Sequence, residues 1–405
     1  MLQSTQKLVM SGDVTHTRAR QAIITVVLGL GQTVAFASSF YLLAVLGDAI
    51  SDDLALTPTF VFSLMSVALV VTPLVAGPYG RWMDQHGGKG VLLLSSPIFA
   101  SGLVLMGFAQ GALSLTIGVL VLGLAMAIGM YGTPFAILVG LYGEGARRPI
   151  TGVALMGGLG STLGWPLTLH WTETFGWRGT CLAWALVHLL LIPLAALVVP
   201  AARRADVPVR GQDAPVVWDR RMVQMAVLFA CSWFVSTSMS SHLPRLLGAF
   251  GLTPAKAATI AGLTGVASVS VRFAEFTVLR RFRPLLATRI ATLMHPLGAL
   301  GLLSLGGRAA SLMALGHGAG SGMLTVAKGV LPLSIYGSSN YAYRSALLSR
   351  PAQIVQIGGP ALYAIALAES PRAALALSSG LCLVMFAMTF GLQTRSSPQK
   401  EHAAA

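Results

Sequence analysis

Two basic side chains that lie inside long apolar segments are the residues best placed to do chemistry. Arg272 lies in segment 255–277 and Lys328 in segment 309–335. A charge at the centre of a membrane helix costs ~2.5–3.5 kcal/mol on insertion scales and usually faces a cavity or partner. Because a guanidinium matches a carboxylate, we interpret Arg272 as the partner of an anionic substrate and Lys328 as a substrate or gate contact. The alternative for Arg272 is snorkelling to the surface or pairing with Glu275.

Polar and aromatic side chains at mid-depth form a second group of candidates. A polar group that faces lipid goes unsatisfied, so we expect these side chains to line a central cavity; packing and interhelical hydrogen bonds are the alternatives. His317, in the glycine-rich stretch 316–322, could relay protons because histidine titrates near neutral pH. It could instead hydrogen-bond across a close helix contact. The other substrate-site candidates are Gln32, Tyr131, Trp165, Trp233 and Gln356.

The sequence offers no pattern typical of an enzyme. It contains no Walker A, H-E-x-x-H or G-x-S-x-G motif, and its three cysteines are far apart. The glycine-rich run 157–166 lacks the G-x-G-x-x-G spacing of a dinucleotide site, and its small residues suit close helix packing and a bend instead. We therefore expect no catalytic residues, no metal and no cofactor.

The composition indicates which elements must hold these residues. The chain has 405 residues, of which 55% are hydrophobic and 10% charged, whereas soluble domains average about 25% charged residues. This excludes a disordered chain, a disulfide-rich secreted domain and an ordinary soluble enzyme. A bilayer crossing needs roughly 20 apolar residues. We predict twelve crossings at 21–46, 59–79, 90–110, 114–142, 151–172, 179–199, 222–247, 255–277, 285–306, 309–335, 345–367 and 373–393.

The distribution of basic residues predicts the orientation. The net charge is +14, which in a soluble chain would suggest nucleic acid, but here the charges lie in short runs between apolar segments. With the N-terminus inside, 20 Lys and Arg fall in cytoplasmic segments and five outside. Cytoplasmic loops carry the excess of basic residues, so we expect both termini in the cytoplasm. The polar first 20 residues argue against a cleavable signal peptide.

The polar stretch 201–221 divides the predicted crossings six and six. It contains five arginines, two prolines and a glycine, a composition typical of a linker. Corresponding crossings of the two halves keep similar offsets, as in transporters built from parallel repeats. We predict a six-helix bundle over 1–200, a cytoplasmic linker over 201–221 and a second bundle over 222–405.

A motif between the second and third crossings points to a family. The segment 80–89, GRWMDQHGGK, resembles the signature loop G-x-L-A-D-R-x-G-R-K of the major facilitator superfamily, although Trp82, Met83, Gln85 and Gly88 depart from it. In that family the loop latches the two halves on the cytoplasmic side. The resemblance implies a latch formed by Gly80, Asp84, Gly87 and Lys89, with Arg147 and Arg148 as further partners.

Other elements resemble the bacterial monocarboxylate-porter branch of this superfamily. Residues 175–178, FGWR, are similar to an element of that branch, which also places an arginine like Arg272 on the eighth helix. Those porters often carry an aspartate four residues earlier, where this chain has Ser268. The segment 144–148 is similar to a bacterial group that includes exporters of trivalent arsenic.

The resemblance implies an all-helical membrane protein with twelve transmembrane helices in two six-helix bundles. Its function would be secondary transport of a small organic anion, such as a monocarboxylate, by alternating access with proton coupling or exchange. We expect a monomer in the bacterial inner membrane, with the lipid bilayer but no nucleic acid as partner. Efflux of drugs or trivalent arsenic, and a membrane sensor without transport, are the alternatives.

Overall fold

The computed structural model describes residues 2–201, 216–277 and 283–393, with side chains from Arg18 onward. Within these residues every regular element is helical. Lipid offers the backbone no hydrogen-bond partner, and a helix satisfies its own N–H and C=O groups. The predicted all-helical membrane fold is confirmed.

Nine continuous helical stretches in the described part are long and apolar enough to cross a membrane. Two of them are too long for one crossing: Ala112–Val198 has 87 residues and Pro284–Tyr336 has 53. At ~1.5 Å per residue the longer one would extend roughly 130 Å, so the chain must turn back. The stretch Ala112–Val198 turns back at Gly143 and Gly176, and Pro284–Tyr336 turns back at Gly306. The φ angles of these residues, 54°, 69° and 60°, suit glycine. Twelve crossings result.

The first half contains six crossings, and three of these, the first, fourth and fifth, are interrupted near their middle. The first crossing also contains the π-helical turn Phe36–Phe40. The helix Gly160–Val198 turns at Gly176 and so completes the fifth crossing and forms the sixth. In order, the helices are Leu2–Ala35 with Leu42–Asp53, Pro58–His86, Lys89–Gly107, Ala112–Gly129 with Gly132–Tyr142, and Arg147–Gly158 with Gly160–Val198.

The second half contains one unbroken helix per crossing. Asp219 caps the first of these helices by accepting a hydrogen bond from the Met222 N–H at 2.8 Å. The helices are Arg220–Gly248, Pro254–Thr277, Pro284–Leu305, Ala310–Tyr336, Tyr341–Glu369 and Pro371–Met388. Each of the twelve predicted segments overlaps one crossing. Of the predicted linker 201–221, residues 202–215 lie outside the described residues.

The two halves meet mainly at one end of the bundle. We call this the Asp84 end, and the opposite end, where Asp53 lies, the Asp53 end. The second crossing packs along the eleventh, and the helices Gly132–Tyr142 and Arg147–Gly158 pack on the second half. Towards the Asp53 end, the helix Leu42–Asp53 packs on its own half, against Pro58–His86 and Gly160–Val198. The halves are thus closed together at the Asp84 end.

Candidate functional site

Arg272 lies at the junction between the two halves. Its side chain is only 9% exposed. Nε donates to the Gly322 carbonyl at 3.4 Å and Nη2 to Thr325 Oγ1 at 3.2 Å, both on the tenth crossing. Nη1 donates to the Ala154 carbonyl of the fifth crossing at 3.3 Å. The guanidinium therefore bridges the two halves through neutral acceptors.

A glycine makes room for this guanidinium. A Cβ built on Gly158 would lie 2.2 Å from Arg272 Nη1, so no larger residue fits without moving the guanidinium. Gly158 ends the first helix of the fifth crossing, and the second begins at Gly160. The break in this crossing, which hydropathy does not indicate, lies directly against Arg272.

Lys328 provides a second basic side chain close to Arg272. It follows Thr325 by one helical turn, and its Nζ lies 4.2 Å from the centroid of the Trp233 ring, a cation–π arrangement. Among the described residues no carboxylate forms an ion pair with Lys328 or Arg272. Glu275 is buried and its Oε2 has no hydrogen-bond partner, but it lies beyond ion-pair distance of Arg272. The two opposite charges still attract each other over this longer distance, so Glu275 remains the alternative partner of Arg272.

Aromatic rings of the first half extend from this junction towards the Asp53 end. The Tyr131 hydroxyl donates to the Ala154 carbonyl at 3.2 Å, the acceptor that Arg272 also uses. The ring centroids of Tyr131 and Phe36 are 5.0 Å apart, those of Phe36 and Tyr41 are 6.3 Å apart, and those of Tyr41 and Trp165 are 6.1 Å apart. Trp165 is 49% exposed. This aromatic strip can face the apolar body of a ligand.

The remaining substrate-site candidates lie apart from Arg272. The Gln32 Nε2 donates to the Gly129 carbonyl at 2.8 Å, within the first half. The Gln356 side chain is buried on the eleventh crossing, and its Oε1 has no partner. His317 contacts His295 of the ninth crossing. Hydropathy gave the depth of these residues, but it could not give the direction in which each one points.

Contacts at the Asp84 end join the second crossing to the eleventh. The carboxylate of Asp84 accepts from the Ala342 N–H at 3.0 Å and from the Tyr343 N–H at 2.8 Å, the first N–H groups of the eleventh helix. A Cβ on Gly80 would lie 2.9 Å from the Ala346 Cβ, so glycine permits this close approach. Arg81 adds a hydrogen bond to the Tyr343 hydroxyl at 2.5 Å.

The other predicted latch residues take different positions. Gly87 ends the second crossing with a φ of 82°. Lys89 Nζ donates to the Ala196 carbonyl at 2.7 Å, and this contact stays within the first half. The Arg148 guanidinium lies 5.3 Å from the Phe276 ring centroid and so contacts the second half. Arg147 begins the fifth crossing beside it.

Asp219 precedes the seventh crossing and caps the N-terminus of its helix. Partial burial alone would raise its pKa, but hydrogen bonds from the Tyr336 hydroxyl and the Met222 N–H, with the charges of Arg221 and Arg344, lower the pKa below its usual value. Asp219 therefore stays ionised at neutral pH and keeps these contacts.

At the Asp53 end, the segment 175–178 acts as a clamp. Gly176 makes the turn, and Arg178 then forms an ion pair with Asp53 at 3.0 Å and donates to the Ala109 carbonyl at 2.9 Å. The Arg178 guanidinium also lies 4.2 Å from the Trp177 ring centroid. One arginine thus ties together the ends of the first, third and fifth crossings.

Comparisons with known proteins agree with this architecture. The family model of the Major Facilitator Superfamily matches residues 28–330. No curated protein sequence matches the chain. The proton:xylose symporter XylE, bound to 6-bromo-6-deoxy-D-glucose, is similar with a TM-score of 0.75 and 13% identity over 93% of this chain and 97% of its own.

Two further solved structures have the same fold. The transporter FucP, in the outward conformation, has a TM-score of 0.73 and 15% identity over 93% of this chain and 99% of its own. The human organic anion transporter MFSD10 (TETRAN) has a TM-score of 0.68 and 17% identity over 91% of this chain and 99% of its own. At these identities the likeness shows the fold alone.

Proposed function

This chain belongs to the major facilitator superfamily of secondary transporters, and we propose that it carries a small organic anion, such as a monocarboxylate, by alternating access. The observation that carries this proposal is the pair of basic side chains, Arg272 and Lys328, at the junction between the halves, with no carboxylate of the described residues within ion-pair distance of either. The similar transporters include carriers of sugars and of organic anions, so the substrate class depends on this chain's own residues.

The arrangement supports a carboxylate with an apolar body. A carboxylate at Arg272 would accept two parallel hydrogen bonds in place of weaker neutral partners, and Lys328 would balance further negative charge. The strip from Tyr131 to Trp165 would then contact the rest of the molecule. An aromatic acid such as benzoate should therefore bind more tightly than pyruvate.

The excess of Lys and Arg supports an orientation in which the Asp84 end and both termini are cytoplasmic. We place the protein in the bacterial inner membrane on the resemblance of its motifs to bacterial porters. In this orientation the structure is closed towards the cytoplasm. The hydrogen bonds that Asp84 accepts from the N-terminus of the eleventh helix are then part of the latch. Opening to the inside would separate the fifth crossing from the eighth and break the bond between Arg272 and Ala154. A ligand that replaces this bond would couple its own binding to the rocking of the halves.

Ligand binding to the purified protein tests this proposal directly. Calorimetry would compare benzoate with benzamide, which has the same ring and no charge, and with pyruvate, xylose and arsenous acid. We expect both carboxylates to bind, and benzamide to bind at least about tenfold more weakly, because a charged hydrogen bond contributes about 1.5–3 kcal/mol. Equal binding of benzamide, or binding of arsenous acid or xylose without any carboxylate, would overturn the proposal. Counterflow in vesicles would then show whether the bound acid is transported and in which direction.

A further inference from the structure

Two histidines of the second half form a buried pair away from the anion site. His295 of the ninth crossing and His317 of the tenth are 3% and 7% exposed. Their Nδ1 atoms lie 3.1 Å apart and their rings are almost perpendicular, at 77°. The Nε2 of His295 is buried and has no hydrogen-bond partner.

This geometry permits the pair to hold one additional proton and no more. In the neutral pair one Nδ1 must carry a proton and donate to the other. The ring that donates then has a free lone pair on its Nε2, and a proton that binds there converts the pair from neutral to singly positive. A second proton would have to bind the accepting Nδ1 and would place two N–H groups face to face. The two histidines should therefore titrate as a unit.

Hydroxyl groups lie between this pair and Arg272. Both histidines line a small cavity with Ser232, Ser236 and Ser321, and the Oγ atoms of Ser236 and Ser321 are 3.1 Å apart. On the tenth crossing, positions 317, 321 and 325 share one face of the helix. From His317 to Thr325, which binds Arg272, the axial rise is about 12 Å.

Few other groups around the pair could hold a proton. Cys382 of the twelfth crossing lines the same cavity, and Cys231 precedes Ser232 on the seventh. The helices that form the seventh, ninth, tenth and twelfth crossings contain no Asp or Glu. The remaining ionisable groups on these helices and on the eighth lie further along them: Arg220, Arg221, His242 and Arg245 on the seventh, Lys256, Arg272 and Glu275 on the eighth, Arg289 on the ninth, Lys328 and Tyr336 on the tenth, and Arg372 on the twelfth.

We propose that the His295–His317 pair is a proton-binding site that couples proton movement to transport of the anion. The proposal rests on the proposed function for its coupling role, whereas proton binding itself can be tested without any substrate. A proton that enters the cavity forms an N–H bond at the free Nε2, and breaking this bond returns the proton to water. With the pair protonated, the field at the anion site becomes more positive, which favours the anion. Release of the anion favours release of the proton in turn.

Nuclear magnetic resonance of ¹⁵N-histidine-labelled protein tests proton binding. Spectra would be recorded from about pH 3.5 to 8, a range that extends below the usual pKa of histidine because burial disfavours the charged form, for wild type, His295→Gln, His317→Gln and the control His242→Gln. His242 lies in the same half and bonds to the Pro360 carbonyl. We expect two signals that change together in wild type and His242→Gln. In each pair variant the remaining histidine should lose that shared step. Two signals that stay neutral throughout, or a partner that titrates unchanged in the variants, would overturn the proposal.

Proteoliposomes test the coupling with radiolabelled pyruvate. We expect His295→Gln and His317→Gln to retain exchange of labelled for unlabelled pyruvate, but to lose the accumulation that an imposed pH gradient drives. Accumulation at the wild-type level in both variants would overturn the coupling role. If wild type itself exchanges no carboxylate, the proposed substrate fails, and the titration experiment still decides whether the pair binds a proton.

Discussion

At Arg272 the charge and the shape of the side chain make separate contributions. Lysine keeps the charge but loses the planar fork that matches a carboxylate, and glutamine loses both. We expect Arg272→Lys to bind benzoate weakly and Arg272→Gln to lose binding, with both variants inserted and folded. Calorimetry measures the affinity, and Arg372→Gln, an exposed position at the start of the twelfth crossing, is the control. Wild-type affinity in Arg272→Gln would show that the anion binds elsewhere.

The position of the guanidinium depends on Gly158. Alanine is usually preferred to glycine within helices, so Gly158→Ala should still fold, but its Cβ would clash with Arg272 Nη1 at 2.2 Å. We expect at least about a tenfold loss of benzoate affinity, since one charged hydrogen bond is disturbed, with little change in Tm. The control is Gly265→Ala on the eighth crossing itself, where a Cβ would have no atom within 4 Å. Equal affinities of the two variants would contradict this role for Gly158.

The sequence indicates which residues are expensive to bury, but not which ones meet. Arg272 and Lys328 stand out because charges are rare in apolar segments, and the structure places both at the junction. His317 stands out because histidine titrates near neutral pH. His295 receives less weight, and nothing in the sequence gives the rotation of the ninth crossing relative to the tenth. Gly158 lies in the glycine-rich run 157–166, for which the sequence predicts close packing and a bend, but nothing in the sequence shows that it faces Arg272, more than a hundred positions away.

At the scale of elements, Asp84 stabilises the contact between the second and eleventh crossings through the N-terminus of the eleventh helix. Asp84→Asn removes the charge from these hydrogen bonds, and a charged hydrogen bond contributes about 1.5–3 kcal/mol. A near-balanced equilibrium between closed and open states should shift about tenfold or more towards opening at the Asp84 end. The change should appear as faster thiol labelling of Val330→Cys, a position 2% exposed in the closed contact.

The labelling experiment needs two controls. The native cysteines are replaced by serine, because Cys231 is only partly buried. Asp52→Asn, an exposed carboxylate at the opposite end, should leave the labelling rate of Val330→Cys unchanged. If Asp84→Asn also leaves it unchanged, Asp84 does not act as a latch.

Helix positions follow from hydropathy, but breaks within helices do not. The predicted crossings agree with the structure because about 20 apolar residues are needed for each span. The fourth crossing breaks at Met130–Tyr131 and the fifth at Leu159, both inside apolar runs. Neither break involves a change in hydropathy, although the glycine-rich run 157–166 does predict a bend in the fifth crossing. Each break instead accommodates a tertiary contact. At the fourth crossing the Tyr131 hydroxyl donates to the Ala154 carbonyl, and at the fifth the Arg272 guanidinium packs against Gly158.

For the whole molecule, the signature loop and the twelve crossings predict the fold only when they are taken together. A charged turn alone suits any cytoplasmic loop, and apolar segments alone suit any multi-pass membrane protein. The conformational state was not predictable. A transporter sequence must be compatible with the contacts of both the open and the closed state, so it does not indicate which state is adopted. Only the structure shows that the halves meet at the Asp84 end. The orientation of that end relative to the cytoplasm still depends on the distribution of basic residues.

Sidedness is therefore the prediction that belongs to the whole molecule. Single cysteines at exposed positions would report it in a background without native cysteines: Gln85→Cys and Glu144→Cys at the Asp84 end, and Asp52→Cys and Gln110→Cys at the Asp53 end. An impermeant thiol reagent should label the second pair in intact cells, and the first pair only after the membrane is permeabilised, because basic loops remain in the cytoplasm. The reverse pattern would place Asp84 outside. The structure would then be closed towards the exterior, and Arg272 would be reached from the cytoplasm.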